Sequence, residues 1–412
     1  MFLKFSKSKF SVKLAIFVVT ILSISIFIHN LLFSSFKRCV LYADKILLSP
    51  NGARSGDNTK FVLLWKNHHV FTKGYIRTLN CPISDCVFTE NKNLLDGDYS
   101  QFDAIIFHED LLTDKWLMPT KRKSHQLYTF FTIESAYYNP ACELRNDNYY
   151  NLTFTYRLDS DIPWTYFIVR DVNEDIVAPS LNVRWEESTK SIKPAIKSIL
   201  KRKTKAIAWL VSHCSADSFR DDYLSRLQEH LYHYSLKIDV FGGCNGLKCF
   251  NKDCDEMLRN NYYFYAAFEN SFSEDYVTEK VLHGYLNYAV PIVYGASNYS
   301  RFLPPNSYLN AREFHPYNLA YKIYEAMRDY EIFESYFKWT NTYTISDHQD
   351  MDHPLCNLCG HLHSYKALRA PAKKSFRVWW NGLNGMKWCL SPEYWNETAR
   401  LNIDANHIFT MY

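Results

Sequence analysis

The chain has 412 residues, 47% of them hydrophobic and 17% aromatic, which excludes a disordered or low-complexity protein and allows two domains with sizeable cores. A formal net charge of +4 is too small to imply nucleic acid as a partner. Tyr and Trp faces suit the C–H edges of sugars, although a Tyr-rich core is the plainer account of most of the 31 Tyr.

Lys4, Lys7, Lys9 and Lys13 precede residues 14–33, an apolar stretch without a formal charge that is long enough to cross a bilayer as a helix. The lysines hold residues 1–13 in the cytoplasm, so the expected arrangement is a type II signal-anchor with everything after about Arg38 in the lumen. A cleaved signal peptide fits less well, because the run exceeds the usual ~7–15-residue apolar region and no small-x-small site follows closely. Eleven cysteines agree with an oxidising compartment, as do the acceptor sequons at Asn151, Asn298 and Asn396. Residues 34–58 read as a polar stem.

Residues 59–195 form a first α/β region, with strands expected at Phe61–Trp65, Ala104–Phe107, Thr129–Ile133 and Leu152–Tyr156. The basic run Lys201, Arg202, Lys203 and Lys205 reads as a solvated linker. Residues 196–345 read as strand Ala206–Val211, helix Phe219–Tyr234, strand Leu236–Phe241, strand Tyr262–Phe268, helix Tyr276–Tyr288 and strand Val290–Tyr294. Two strand–helix–strand units in succession predict a parallel sheet that takes ligands at the carboxyl ends of its strands. Residues 346–412 are a cysteine-containing tail expected to pack back on the first domain.

The loop 269–275 is the richest candidate site. Asp275 is a plausible N-cap, leaving first-turn N–H groups near Thr278, Glu279 and Lys280 to meet an anion. Arg220 sits at the equivalent place in the neighbouring unit, and two cations at adjacent strand ends could clamp a pyrophosphate. Both could equally be surface charges paired with Glu279, Asp221 or Asp222. No glycine-rich phosphate loop of the Walker or dinucleotide type occurs, which weighs against a P-loop ATPase or a nicotinamide enzyme. Asp159-Ser-Asp161 and Asp253-Cys-Asp255 are short acidic pairs of a kind common by chance. Cys356 and Cys359 have zinc-ligand spacing with His353, His361 and His363 close by, but disulfides to the upstream pair Cys81 and Cys86 are the expectation in a lumenal chain.

The segment FYAAFENSFSEDYVTEKVLHGYLNYAVPIVYG (264–295) closely resembles the donor-binding signature of the α1,3-fucosyltransferases, glycosyltransferase family 10. LVSHCSADSFRDDYL (210–224), FTIESAYYNP (131–140), NLTFTYRLDSDI (151–162), ISDCVFTENKNLL (83–95) and HPLCNLCGH (353–361) extend the likeness over most of residues 60–365. The resemblance implies a GT-B-like α/β architecture, with two Rossmann-like domains facing a cleft behind an N-terminal transmembrane helix. It also implies inverting transfer of L-fucose from GDP-fucose to the 3-hydroxyl of an N-acetylglucosamine in an N-glycan, in the Golgi membrane, without a catalytic cofactor. Mn2+ or Mg2+ would at most stimulate.

Carried over residue by residue, Arg220 and Lys280 match the GDP phosphate positions, and Ser212, Asn270, Tyr276 and Glu279 the rest of the donor site, with Glu279 on the ribose. Glu134 matches the acceptor-side general base; on the residues alone it would be an ordinary strand-end carboxylate. Cys81, Cys86, Cys356 and Cys359 match disulfide-bonded ends whose pairing order stays open, and Cys39, at the membrane edge, is the candidate odd cysteine. His213 stands where relatives usually have Asn, and Phe272 where invertebrate and plant relatives often carry Cys. The long tail after Cys359 favours the inner, core N-acetylglucosamine as acceptor, with antennal N-acetyllactosamine second. A lumenal glycan-binding protein without catalysis and an anchored glycosidase are the rival readings.

Overall fold

The computed structural model describes residues 45–47, 58–66, 81–83, 85–112, 118–244, 247–249, 252–348, 352–364, 370–385 and 389. The expected cytoplasmic tail, signal-anchor and Cys39 therefore lie outside the described residues, as does Asn396. No helix among the described residues is long and apolar enough to cross a membrane.

The first half is a sheet of β1 (Lys45–Leu47), β2 (Lys60–Leu64), β3 (Cys86–Thr89), β4 (Ala104–His108), β5 (Leu127–Thr132), β6 (Leu152–Thr155) and β7 (Ile162–Pro163). Their order is β1-β3-β2-β4-β5-β6-β7, parallel except for β1 against β3. The stretch expected to be only a stem thus contributes an edge strand, because Lys45–Leu47 finds the open edge of β3. β5 is buried along its whole length, as a strand covered on both faces must be.

The chain then forms β8 (Ile168–Arg170) and β9 (Ile176–Ala178) before α1 (Pro194–Leu200) and β10 (Lys205–Leu210) open the second half. There follow α2 (Arg220–Tyr232), β11 (Ile238–Phe241), α3 (Lys252–Asn261), β12 (Tyr262–Phe268), α4 (Lys280–Leu286), β13 (Val290–Tyr294) and β14 (Leu309–Asn310). These five strands form one parallel sheet of order β11-β10-β12-β13-β14. Alternation along β12 shows the layering. Phe264, Ala266 and Phe268 meet Leu224, Leu227 and Leu231 of α2, together with Leu319 and Ile323 of α5 (Pro316–Arg328). Tyr265 and Ala267 face the other way, onto Leu258 of α3 and Val281 and Tyr285 of α4. After α6 (Tyr330–Ser335), β15 (Thr344–Ser346) pairs with β8.

Two tail helices return to the first sheet and cover opposite faces of it. α7 (Pro354–Leu362) lays Leu355, Leu358 and Leu362 against Val62, Phe88 and Phe131. α8 (Phe376–Gly385) places Phe376 and Trp380 against Phe107, Tyr128 and Phe130. Cys356 and Cys359, three apart and so on one face of α7, bond Cys81 and Cys86 respectively. Both sulfurs nearest His363 are consumed in that second disulfide, which leaves no thiolate there for zinc. Three further disulfides join Cys142 to Cys389, Cys214 to Cys244 and Cys249 to Cys254.

The basic run before β10 is not uniformly solvated. Lys203 is 3% exposed and donates to the carbonyls of Leu258, Arg259 and Asn287, tying the ends of α3 and α4 together. Lys205 pairs with Asp239. The charge run is amphipathic only by position: one side chain in it points down between two helix ends whose last carbonyls need donors. Lys203→Met should leave three buried carbonyls without a donor, at about 1–3 kcal/mol apiece if no water replaces it. A lower urea midpoint with unchanged m checks this; an unaltered midpoint would show that Lys203 is dispensable.

Candidate functional site

The strand order of the second sheet fixes where a ligand can enter. From β10 the chain passes to β11 on one side, then returns through α3 to β12 on the other, so a crevice opens between the carboxyl ends of β10 and β12. A cavity of about 500 Å³ lies there, lined among others by Ser212, His213, Arg220, Asn270, Glu279 and Lys280. Gly242 closes its floor with φ of +107°, and a Cβ at that position would meet the Val211 carbonyl oxygen at 2.3 Å.

Arg220, the first residue of α2, is 3% exposed. It donates to the carbonyls of Phe268 (2.8 Å) and His213 (2.6 Å), one from the end of each flanking strand. Its Nε is buried with no partner among the described residues. Burial pushes its pKa down from the ordinary value, but a guanidinium stays charged. Lys280 is held differently. Its ammonium meets Thr278 Oγ1 at 2.7 Å, the buried carboxylate of Glu269 at 3.0 Å and Glu279 at 3.6 Å. Burial pulls the ammonium down, yet Glu269 and Glu279 outweigh it and hold the pKa above its ordinary value. Of the three N–H donors, Thr278 and Glu269 take two, and Glu279 at 3.6 Å stands beyond hydrogen-bond distance.

Glu269 also corrects the expected helix start. Its Oε1 accepts from the N–H (2.9 Å) and Oγ1 (3.0 Å) of Thr278, so that amide is already spent. Helix α4 begins at Lys280 rather than Tyr276, with Glu279 at the N-cap position. Asp275 is no cap: it lies at φ +59°, and its Oδ2 accepts the Leu158 N–H at 3.1 Å, across to the first half of the molecule. The local reason is competition. A fully buried carboxylate at the end of β12 takes the first donors it can reach, and the loop unwinds to supply them.

Glu134 projects just beyond β5. Its amide is held by Thr132 Oγ1 (2.9 Å), and its Oε1 accepts from the Ser135 N–H and from Tyr276 OH, each at 2.8 Å. Burial keeps Tyr276 a phenol far above its ordinary range, so the hydroxyl donates and the carboxylate accepts. Among the described residues both donors meet Oε1, which leaves Oε2 as the oxygen to take a proton. Tyr276 itself is 3% exposed, wedged beside Tyr156 and Tyr166, and stands behind Glu134 instead of lining the cavity. The two halves are stitched along this line. Ser135 Oγ and Ser271 Oγ are 2.7 Å apart, Tyr138 OH donates to the Asn270 carbonyl at 3.2 Å, and the Tyr137 N–H reaches Ser273 Oγ at 3.2 Å.

The structure therefore brings Ser212, Arg220, Asn270, Glu279 and Lys280 to one cavity, while Glu134 lies off its lining, joined to the loop after β12 through the buried Tyr276. Residues not singled out from the sequence, Glu269 above all, hold them; the signal available was its position at the end of an all-apolar strand. Of the acidic pairs, Asp159 and Asp161 lie outside this cavity, whereas Asp255 is on its wall. Asp159 is paired twice with Arg157 at 2.9 Å, Asp161 meets Lys373 at 2.9 Å, and Asp255 bonds Asn287 at 2.9 Å. Asn298 is exposed, whereas the side-chain amide of Asn151 donates to the Ala370 carbonyl at 2.9 Å.

Fold and site together define an α/β protein with two buried cations at a sheet switch point and a carboxylate at the end of the other sheet. Comparison with known proteins is consistent in its result. The family description "Fucosyltransferase, N-terminal" matches residues 57–167, and "Glycosyltransferase family 10 (fucosyltransferase) C-term" matches residues 200–377. The chain is 36% identical to the fly "Alpha-(1,3)-fucosyltransferase C" over 69% of its own length and 66% of the fly protein's. It is 32% identical to a gorilla "4-galactosyl-N-acetylglucosaminide 3-alpha-L-fucosyltransferase FUT5" over 74% of its own length and 78% of that protein's. With the fly "Glycoprotein 3-alpha-L-fucosyltransferase A" it shares 30% identity over 77% of its length, spanning 58% of that relative. A solved "Crystal Structure of alpha1,3-Fucosyltransferase with GDP-fucose" aligns over 78% of this chain and 94% of that one, at 15% identity and a TM-score of 0.45. The chain belongs to glycosyltransferase family 10, the fucosyltransferases.

Glu269→Gln tests the electrostatics directly. Removing the buried counter-charge of Lys280 should lower stability by up to about 3–5 kcal/mol. Inorganic pyrophosphate should then raise the melting temperature more than it does in the wild type, since the anion meets two uncompensated cations. An equal rise in both would mean that Glu269 does not govern the charge of the cavity.

Proposed function

We propose that the chain transfers L-fucose from GDP-fucose to the 3-hydroxyl of N-acetylglucosamine in N-glycans, with inversion and without a catalytic metal, the core chitobiose being the favoured acceptor. The observation that carries this reading is a buried guanidinium Nε without a partner among the described residues and a buried ammonium in one crevice, with a carboxylate of the other half bonded to Tyr276 of the loop that leads to it. As the bond from fucose to GDP breaks, negative charge grows on the β-phosphate; Arg220 and Lys280 are the fixed cations suited to receive it. The acceptor hydroxyl is a weak nucleophile until a base takes its proton. Glu134 Oε2 is the base in this reading, and one carboxylate facing the incoming hydroxyl is the inverting arrangement. Glu279, exposed at the rim of the cavity, takes the ribose hydroxyls.

The setting in this reading is the Golgi lumen, with residues 14–33 as the anchor. Transfer to antennal N-acetyllactosamine is the second reading, supported by the name of the gorilla relative. The fly relative named for glycoprotein 3-α-L-fucosyl transfer supports the first.

Glu134→Gln should abolish transfer while leaving GDP binding intact. Normal transfer by that variant removes Glu134 from the mechanism. Lys280→Ala should lower turnover by roughly 100- to 1,000-fold, the loss expected when one charge-stabilising donor goes. GDP, but not UDP, should raise the melting temperature of the lumenal part in EDTA, and no response to GDP would sink the transferase reading. Mass spectrometry of products from a mixture of core and antennal acceptors decides between the two glycan readings.

A further inference from the structure

A second cavity, of about 560 Å³, is lined by Ala136 and Tyr137, two and three residues after Glu134, and by Ser273 and Glu274 of the other half. Its walls come from three parts of the chain: Tyr137, Tyr156 and Arg157 from the first half, Glu274 from the loop after β12, and Val378 and Trp379 from α8. Tyr137 lines this cavity while its neighbour Tyr138 turns to His213 and Asn270 of the other, so the residues following Glu134 separate the two chambers. A group that enters here lies against the segment that follows Glu134, outside the crevice that holds Arg220 and Lys280.

We infer that this cavity is the acceptor subsite, and that Trp379 of the C-terminal tail is the platform on which a pyranose ring of the acceptor oligosaccharide stacks. The inference rests on the transferase reading and adds to it the residues that choose the acceptor. Trp379 is built for the role. Its Nε1 donates to Asp159 Oδ2 at 2.9 Å, and the Arg157 guanidinium lies 4.9 Å from the ring centroid. Arg157 is itself fixed by two bonds to Asp159, so ring orientation is set before any ligand arrives. An indole face offers the C–H edge of a sugar a broad apolar surface. Glu274, whose side chain is 59% exposed at the mouth, offers acceptor oxygens to sugar hydroxyls, held by Arg157 at 3.4 Å. The adjoining Val378 is 40% exposed, an apolar side chain left facing the opening.

The tail is held in place for this purpose. Trp380, next in sequence, is fully buried and donates to the Asn139 carbonyl at 2.8 Å, and the Cys142–Cys389 disulfide binds the far end of the helix to the first half. Residues 378–385 lie beyond the segment matched by the family description, so this wall of the cavity is supplied by a part of the chain that the family pattern does not specify.

The test is a kinetic split. Trp379→Ala should raise KM for a biantennary N-glycan acceptor roughly tenfold or more, as loss of a central aromatic anchor does. KM for GDP-fucose should stay within about twofold, and Trp379→Phe should recover most of the acceptor affinity. Glu274→Gln, which leaves the aromatic core untouched, serves if Trp379→Ala does not fold and should also raise acceptor KM alone. An unchanged acceptor KM in the folded variant, or a rise in donor KM of the same size, overturns the subsite. Failure of the wild type to bind GDP would instead overturn the transferase reading on which it stands.

Discussion

The hydrogen bond from Tyr276 to Glu134 is the constraint around which the molecule is organised. It joins a carboxylate at the end of the first sheet to a phenol in the loop that leaves the second. Both partners follow the carboxyl ends of parallel strands, β5 in the first sheet and β12 in the second. The neighbouring contacts Ser135–Ser271 and Leu158–Asp275 repeat the connection on either side. An apolar cluster of Leu158 and Phe167 with Tyr265, Ala267 and Val281 adds to this line, so that the carboxylate of one half is fixed relative to the cations of the other.

Charge in the crevice at the ends of β10 and β12 is balanced in an uneven way. Lys280 has a buried counter-ion in Glu269, whereas Arg220 has main-chain carbonyls in its place. A carbonyl satisfies a guanidinium N–H without cancelling its charge, so Arg220 keeps its field for a ligand while being immobile. Lys280 contributes less net charge but a free donor direction. The two cations are therefore not equivalent: one supplies field, the other a directed bond.

Much of this was readable from residues alone. The buried strands of the second half were legible because parallel sheets demand continuous apolar runs, as in Ala206–Leu210, Tyr262–Phe268 and Val290–Tyr294. Arg220 and Lys280 were legible from position, lying just after such runs. What failed had a common cause: side chains that act inward against their type. Asp275 looked like a helix cap but serves the other domain, and Lys203 looked solvated but closes two helix ends. Neither is visible without knowing what lies across the fold. The α8 contribution to a cavity was likewise hidden, since its tryptophans carry no spacing signal that separates a core face from a binding face.

The manner in which the tail closes the first domain has a bearing on how the protein is made. The first sheet is incomplete on both faces until residues 354–385 arrive, and Cys81 and Cys86 wait 275 and 273 residues for their partners. At ~5–20 residues per second of synthesis that delay is on the order of 10–60 s, during which a buried β-layer is bare and two nearby thiols are unclaimed. A mispaired Cys81–Cys86 bridge is the natural trap in that interval, five residues apart and available from the start. The native bridges thus form only after most of the chain has been made, and Cys81 and Cys86 must be free of each other by then.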